Sequence, residues 1–162
     1  AYFEYLMAKE GSHGVSFDTI LLAGERTSMP HGVPSENTIK NGELVLFDFG
    51  ATYQGYHSDM TRTVAGGSAS DEMKEMYELV LNAQLAGIKA LNAGVKCADV
   101  YIHEGFNASP KSKDTYEVGN VTSIEPGIYI PGKFGIRIED VCYLAPRGRE
   151  NLSNVTKSLI IL

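Results

Sequence analysis

Two stretches decide how this chain folds: Glu43–Val64, ELVLFDFGATYQGYHSDMTRTV, and Val121–Leu144, VTSIEPGIYIPGKFGIRIEDVCYL. In each, β-branched and aromatic residues flank a turn-forming centre, which is the pattern of an antiparallel hairpin. Each also carries two acidic residues placed symmetrically about that centre. The midpoint of Asp48 and Asp59 falls on Tyr53-Gln54-Gly55, and that of Glu125 and Glu139 on Gly132 of Pro131-Gly132-Lys133. Strands folded about those centres set Asp48 beside Asp59 and Glu125 beside Glu139. Like charges facing each other destabilise a sheet unless something positive sits between them. Four carboxylates in two such pairs therefore point to bound cations.

Outward from the hairpins, residues 2–10 read as an amphipathic helix closed by Gly11. VSFDTILLAG follows as a strand, and ERTSMPHGVPSENT as a loop broken by Pro30 and Pro34. Ile39-Lys40-Asn41-Gly42 turns the chain into the first hairpin. AGGSAS, residues 65–70, is a turn and not a phosphate loop, because no Lys-Ser/Thr follows it. Ser70 or Asp71 caps a long helix whose apolar stripe is Met73, Met76, Tyr77, Val80, Leu81, Leu85, Ile88 and Leu91, with Gly94 ending it. VKCADV then opens another helix, with Asp99 in its first turn. One residue later the text changes to YIHEGF, a strand end leading into a polar loop, without any cap or turn signal between the two. The closing NVTKSLIIL reads as a final strand. The echo of one hairpin in the other suggests a pseudo-symmetric domain.

Composition sets ordinary bounds. A chain of 162 residues, 43% hydrophobic and 21% charged, suits one globular domain. A formal net charge of −6 argues against nucleic acid or an anionic membrane as partner, since both demand a basic face. Cys97 and Cys142 lie far apart without a CxxC, so the expectation is two core thiols in a reducing, cytoplasmic compartment. No apolar run has the length of a membrane span, and AYFEYLMAKEG lacks the build of a signal peptide.

The segments PHGVPSENTIKNGELVLFDFGATYQGYHSDMTRTV and VTSIEPGIYIPGKFGIRIEDV resemble the pita-bread metallopeptidases (M24 type), the family of methionine aminopeptidase, aminopeptidase P and prolidase. The similarity runs over essentially the whole chain. IEPGIYIPGKFGIRIED, with Arg137, is closest to the branch that cleaves Xaa-Pro bonds. The resemblance implies an α+β fold in which a curved antiparallel sheet carries helices on its outer face and metals in its concave centre, with a pseudo-twofold. It implies that Asp48 chelates one metal, that Asp59 and Glu139 bridge two, and that Glu125 binds the second and helps move the proton of the attacking water. Carboxylate ligands suit Mn²⁺ first, with Co²⁺ or Zn²⁺ as alternatives. Two such ions can hold a bridging hydroxide and stabilise charge on a peptide carbonyl. His31, in Pro30-His31-Gly32, matches the family's loop histidine near the scissile bond. His103 matches the histidine that contacts substrate, and Arg137 would hold the site or the substrate's carboxylate. Arg137 has a plainer alternative as an ion pair with Glu139 or Asp140, and His13 and His57 read as surface residues. The implied partners are short peptides, and a homodimer is plausible within the family.

One departure matters. The family places a fifth ligand, a histidine in a Gly-His-Gly-like stretch, shortly before the His-Glu pair. Here Tyr101-Ile102-His103-Glu104 follows directly on Val100, so that stretch is absent. Loss of a helix and a core strand would cost about as much as a domain's whole net stability. The expectation is therefore one catalytic domain over residues 1–162, lacking the N-terminal domain of larger relatives and written without a segment between Val100 and Tyr101. A deletion that is real would leave an impaired, peptide- or protein-binding module. Methionine aminopeptidase is a further alternative, disfavoured by the wording of the second hairpin.

Overall fold

A computed structural model describes residues 2–100 and 112–162. The chain starts with helix α1 (Tyr2–Lys9), then strands β1 (Gly14–Val15) and β2 (Ile20–Ala23) and a 3-10 helix over Gly24–Ser28. The first hairpin comprises β3 (Leu44–Phe49), β4 (Ala51–Tyr53), β5 (Tyr56–His57) and β6 (Met60–Ala65). Helix α2 (Asp71–Ala90) leads to a short 3-10 helix, Cys97–Val100. The second hairpin is β7 (Val121–Ile124), β8 (Gly127–Ile130), β9 (Phe134–Arg137) and β10 (Asp140–Ala145), with β11 (Gly148–Asn151) folding back on β10.

Both hairpins form about turns, and the turns set the registers. In the second, Gly127 pairs with Arg137 and, further out, Ile124 with Asp140. Both ladders share one centre at Gly132, so Glu125 and Glu139 stand opposite each other as the sequence predicts. In the first, Gln54 (φ 49) and Gly55 (φ 83) form a two-residue turn between the paired Tyr53 and Tyr56. Positive φ at both central residues is the type I′ geometry that matches strand twist. That turn lies one position later than the midpoint of Asp48 and Asp59. The expected pairing of these two is corrected accordingly: Asp48 faces Thr61, and Asp59 lies on the diagonal, two residues earlier on the same strand face.

Ser70, not Asp71, caps α2, its Oγ accepting from Met73 N at 3.2 Å. The apolar stripe of α2 packs through Tyr77 and Val80 on Leu44, Phe134, Ile136 and Ile138. Leu85 departs from the expected stripe, being 47% exposed, while Gln84 is fully buried in its place. A second cluster at the other end gathers Leu91, Cys97, Val100, Tyr116, Ile124 and Cys142. Both cysteines are free thiols in that cluster, as expected. The expected final strand reduces to one parallel bridge, Ile161 with Ala65, because the edge of β6 away from β3 is met further along by the second hairpin, where Glu139 N donates to Thr61 O and Arg137 N to Thr63 Oγ1. The helix expected from VKCADV is a four-residue 3-10 turn within the described residues, and the strand end expected at YIHEGF lies outside them.

Candidate metal centre

Along Phe134–Asp140 every residue is buried, and the pleat sorts them. Ile136 and Ile138 face α2, whereas Arg137 and Glu139 point to the other side, where the first hairpin lies. Thr61 is the joint between the hairpins: Glu139 N donates to Thr61 O at 3.1 Å, and Thr61 Oγ1 donates to Glu139 Oε2 at 2.7 Å. Asp48 enters from β3 opposite Thr61, and Asp59 from just before β6. Close strand approach at this end requires Gly50, where a Cβ would lie 1.9 Å from Ser58 O.

The result is a group of three carboxylates, Asp48, Asp59 and Glu139, whose ligand oxygens lie within 4.8 Å of one another. Glu125 stands beside them in the gap between β7 and β8, its Oε1 accepting from Ser123 Oγ at 2.7 Å. Burial and mutual repulsion push protons onto the group. Burial, reinforced by the charges of Asp48 and Glu125, raises Asp59 to about 7. Burial, then Glu125 and Asp59, raises Glu139 to about 9. Asp48 is also raised by burial, with the Arg137 guanidinium opposing the shift.

The donor set fits divalent cations. Asp48 Oδ1, Asp59 Oδ1 and Glu139 Oε1 are buried and without a hydrogen-bond partner among the described residues. Each such acceptor costs about 1–3 kcal/mol when left unmet. One orphaned oxygen from each of three converging carboxylates is an oxygen-rich pocket of the kind hard cations occupy.

Arg137 is 3% exposed, and its hydrogen bonds are all directed inward. Nη2 pairs with Asp48 Oδ2, Nε donates to Thr61 Oγ1 at 3.0 Å, and Nη1 donates to Tyr129 Oη at 2.9 Å and Pro30 O at 3.0 Å. The plainer expectation of a pair with Glu139 or Asp140 is thus replaced by a pair with Asp48. The last bond anchors the loop carrying His31, which is itself exposed. His103 lies outside the described residues. His13 and His57 are exposed, and His57 Nδ1 lies 3.1 Å from Thr52 Oγ1. Sequence reasoning missed Thr61 and the buried Arg62, and offered the buried Asp140 only as an alternative partner of Arg137. Only the position of Thr61 and Arg62, between or next to the acidic residues, hinted at them.

The model of metallopeptidase family M24 matches residues 1–103 and 101–146. An uncharacterized peptidase of Bacillus subtilis, YqhT, is 39% identical over 186 residues, which cover 98% of this chain and 53% of that protein. Among solved structures, a Xaa-Pro dipeptidase from Bacillus anthracis superposes with a TM-score of 0.93 at 39% identity, over 98% of this chain and 52% of its own. An X-Pro aminopeptidase from Thermotoga maritima does so with a TM-score of 0.92 at 36% identity, over 98% and 53%. The chain belongs to metallopeptidase family M24. Its architecture is the α+β pita-bread fold, and it spans about half the length of the curated relatives it matches. The two matched stretches meet at residues 101–103, and a 186-residue alignment on a 162-residue chain means that YqhT has residues without a counterpart here.

Proposed function

We propose that this chain is the catalytic domain of a dinuclear-metal exopeptidase that hydrolyses Xaa-Pro bonds, of prolidase or aminopeptidase P type. The observation that carries the proposal is the convergence of Asp48, Asp59 and Glu139, each with a buried oxygen left unmet. Asp48 would hold one ion, Asp59 and Glu139 would bridge two, and Glu125 would complete the second site. When bound, such ions supply a nucleophilic water at neutral pH and Lewis acidity toward a peptide carbonyl. The remaining work belongs to side chains. Glu125, held by Ser123, accepts the proton released by the attacking water. Arg137 opposes the rise that burial imposes on Asp48, holds its carboxylate in place, and fixes through Pro30 the loop that presents His31 to the substrate. His103 is assigned to substrate contact from its place in the sequence alone. Mn²⁺ is the proposed ion, since the described donors are all carboxylate oxygens.

The break in the family match supports an interruption between Val100 and Tyr101. A true deletion there takes the nitrogen ligand from the site shared by Glu125, while the set formed by Asp48, Asp59 and Glu139 stays whole, and leaves one firm and one weak metal site. A segment that is present but unwritten leaves both sites complete. The same break favours a second reading, a peptide-binding module with impaired chemistry. Incubation with Mn²⁺ and Ala-Pro, longer Ala-Pro peptides and Met-Ala separates the readings. Metal-dependent release of alanine from the proline peptides supports the exopeptidase, and the preferred length separates dipeptidase from aminopeptidase P. Cleavage of Met-Ala would shift the reading to a methionine aminopeptidase. Metal binding without cleavage would leave the binding module.

A further inference from the structure

On the α2 side of the sheet, directly behind Glu139, lies a buried polar network that the reaction does not touch. Its centre is Asp140, fully buried. Arg62 Nη2 donates to its Oδ1 at 2.7 Å. Its Oδ2 accepts from Lys157 Nζ at 2.5 Å, Asn151 Nδ2 at 2.8 Å and Gln84 Nε2 at 3.2 Å. One carboxylate thus faces two cations and two amides, and the donors come from β6, β11, α2 and the C-terminal segment.

Arg62 spends every N–H it has. Beyond Asp140, Nη1 donates to the main-chain oxygens of Glu139 at 2.6 Å and Thr61 at 2.8 Å. Nη2 reaches Val155 O at 3.1 Å and Nε reaches Thr156 O at 3.0 Å. Five bonds from a rigid planar fork fix whatever they touch more firmly than a flexible ammonium can. Two of the five hold the backbone of Thr61 and Glu139, the same two residues whose side chains meet on the metal side. A largely buried ion network is weak evidence for stability, since burying its charges costs about as much as pairing them returns. Its placement one residue behind a proposed bridging ligand is a different matter.

We propose that Arg62 is a positioning residue for this metal centre: it sets the height at which the Glu139 carboxylate stands over Asp48 and Asp59, and Asp140 with Lys157 holds its guanidinium to that task. The inference rests on the two-metal reading above. Partners one step behind metal ligands cost about 10–100-fold in metal affinity when removed. Lysine at position 62 keeps the charge but cannot span Asp140 and both carbonyls.

The test is calorimetric titration of the metal-free chain with Mn²⁺ at 20 °C, for the wild type, Arg62→Lys, Asn151→Ala and Val80→Ala. Val80 packs in the α2 core one turn before Gln84 and supplies no hydrogen bond to the network, so its variant loses stability while every network donor stays in place. The expected result is about 10–100-fold weaker binding by Arg62→Lys, a smaller loss in the same direction by Asn151→Ala, and wild-type affinity for Val80→Ala. In the active enzyme, kcat falls for Arg62→Lys while KM for Ala-Pro stays close to wild type. If Arg62→Lys does not fold, Asn151→Ala decides alone. Wild-type binding with both network variants unchanged in affinity overturns the positioning role and leaves the metal centre standing. Absence of Mn²⁺ binding by the wild type overturns both.

Discussion

Without metal, this protein should become less stable as pH rises from 5 to 8, the reverse of what ionising carboxyls usually does. Asp59 is raised from 3.8 to about 7 and Glu139 from 4.5 to about 9 in the folded chain. A carboxyl whose folded pKa lies above its unfolded value binds its proton more tightly when folded. Its stabilising contribution is full below the unfolded pKa and is lost as pH climbs through the folded one. For Asp59 that window runs from about 4 to about 7. Its displacement corresponds to on the order of 3 kcal/mol once the open side of the site is allowed for. In a chain of this size that is a fall in Tm of roughly 6–12 °C. Glu139 extends the decline toward pH 9. Thermal melts in a chelator at half-unit pH steps measure the slope. Asp59→Asn, which cannot ionise, should flatten it, and Mn²⁺ should restore Tm most strongly at the alkaline end. A metal-free Tm that is level or rising between pH 5 and 8 would refute the reasoning.

Three further outcomes follow from the packing. Arg137→Met strands the buried Asp48 without its cation and should cost about 3–5 kcal/mol in urea unfolding, with part of the loss recovered by Mn²⁺. Gly50→Ala drives a Cβ to 1.9 Å from Ser58 O, and should lower the urea midpoint by an amount equivalent to about 3 kcal/mol or more. On α2, Val80→Ala should cost about 2 kcal/mol and Leu85→Ala less than about 0.5 kcal/mol, because Val80 is 1% and Leu85 47% exposed.

Much of this could be read from the residues. The second hairpin was legible to the residue, since Pro131-Gly132-Lys133 allows only one centre and both ladders obey it. The first was off by one position because Tyr53-Gln54-Gly55 offers two centres, and only the positive φ values at Gln54 and Gly55 choose between them. Both acidic residues still reach one face, since a strand returns to the same side every second residue. Leu85 and Gln84 were exchanged for a different reason. An apolar stripe predicts burial by hydrophobicity, and Gln84 is buried to satisfy Asp140 and Lys157, distant partners that no local pattern reveals. Arg62 was hidden in the same way, and Asp140, read from the sequence only as an alternative partner of Arg137, pairs instead with Arg62 and Lys157, both distant in sequence. The final strand shrank to a bridge because the second hairpin, distant in sequence, meets the outer edge of β6 at Thr61 and Thr63.

The central claim is that the three carboxylates form a divalent-cation site, and anomalous scattering from a crystal soaked in Mn²⁺ tests it most directly. A strong difference peak is expected among Asp48, Asp59 and Glu139, with a weaker one toward Glu125, and loss of both in Asp59→Ala. A map without a peak at those carboxylates, from crystals that diffract and hold Mn²⁺ at saturating concentration, would contradict it.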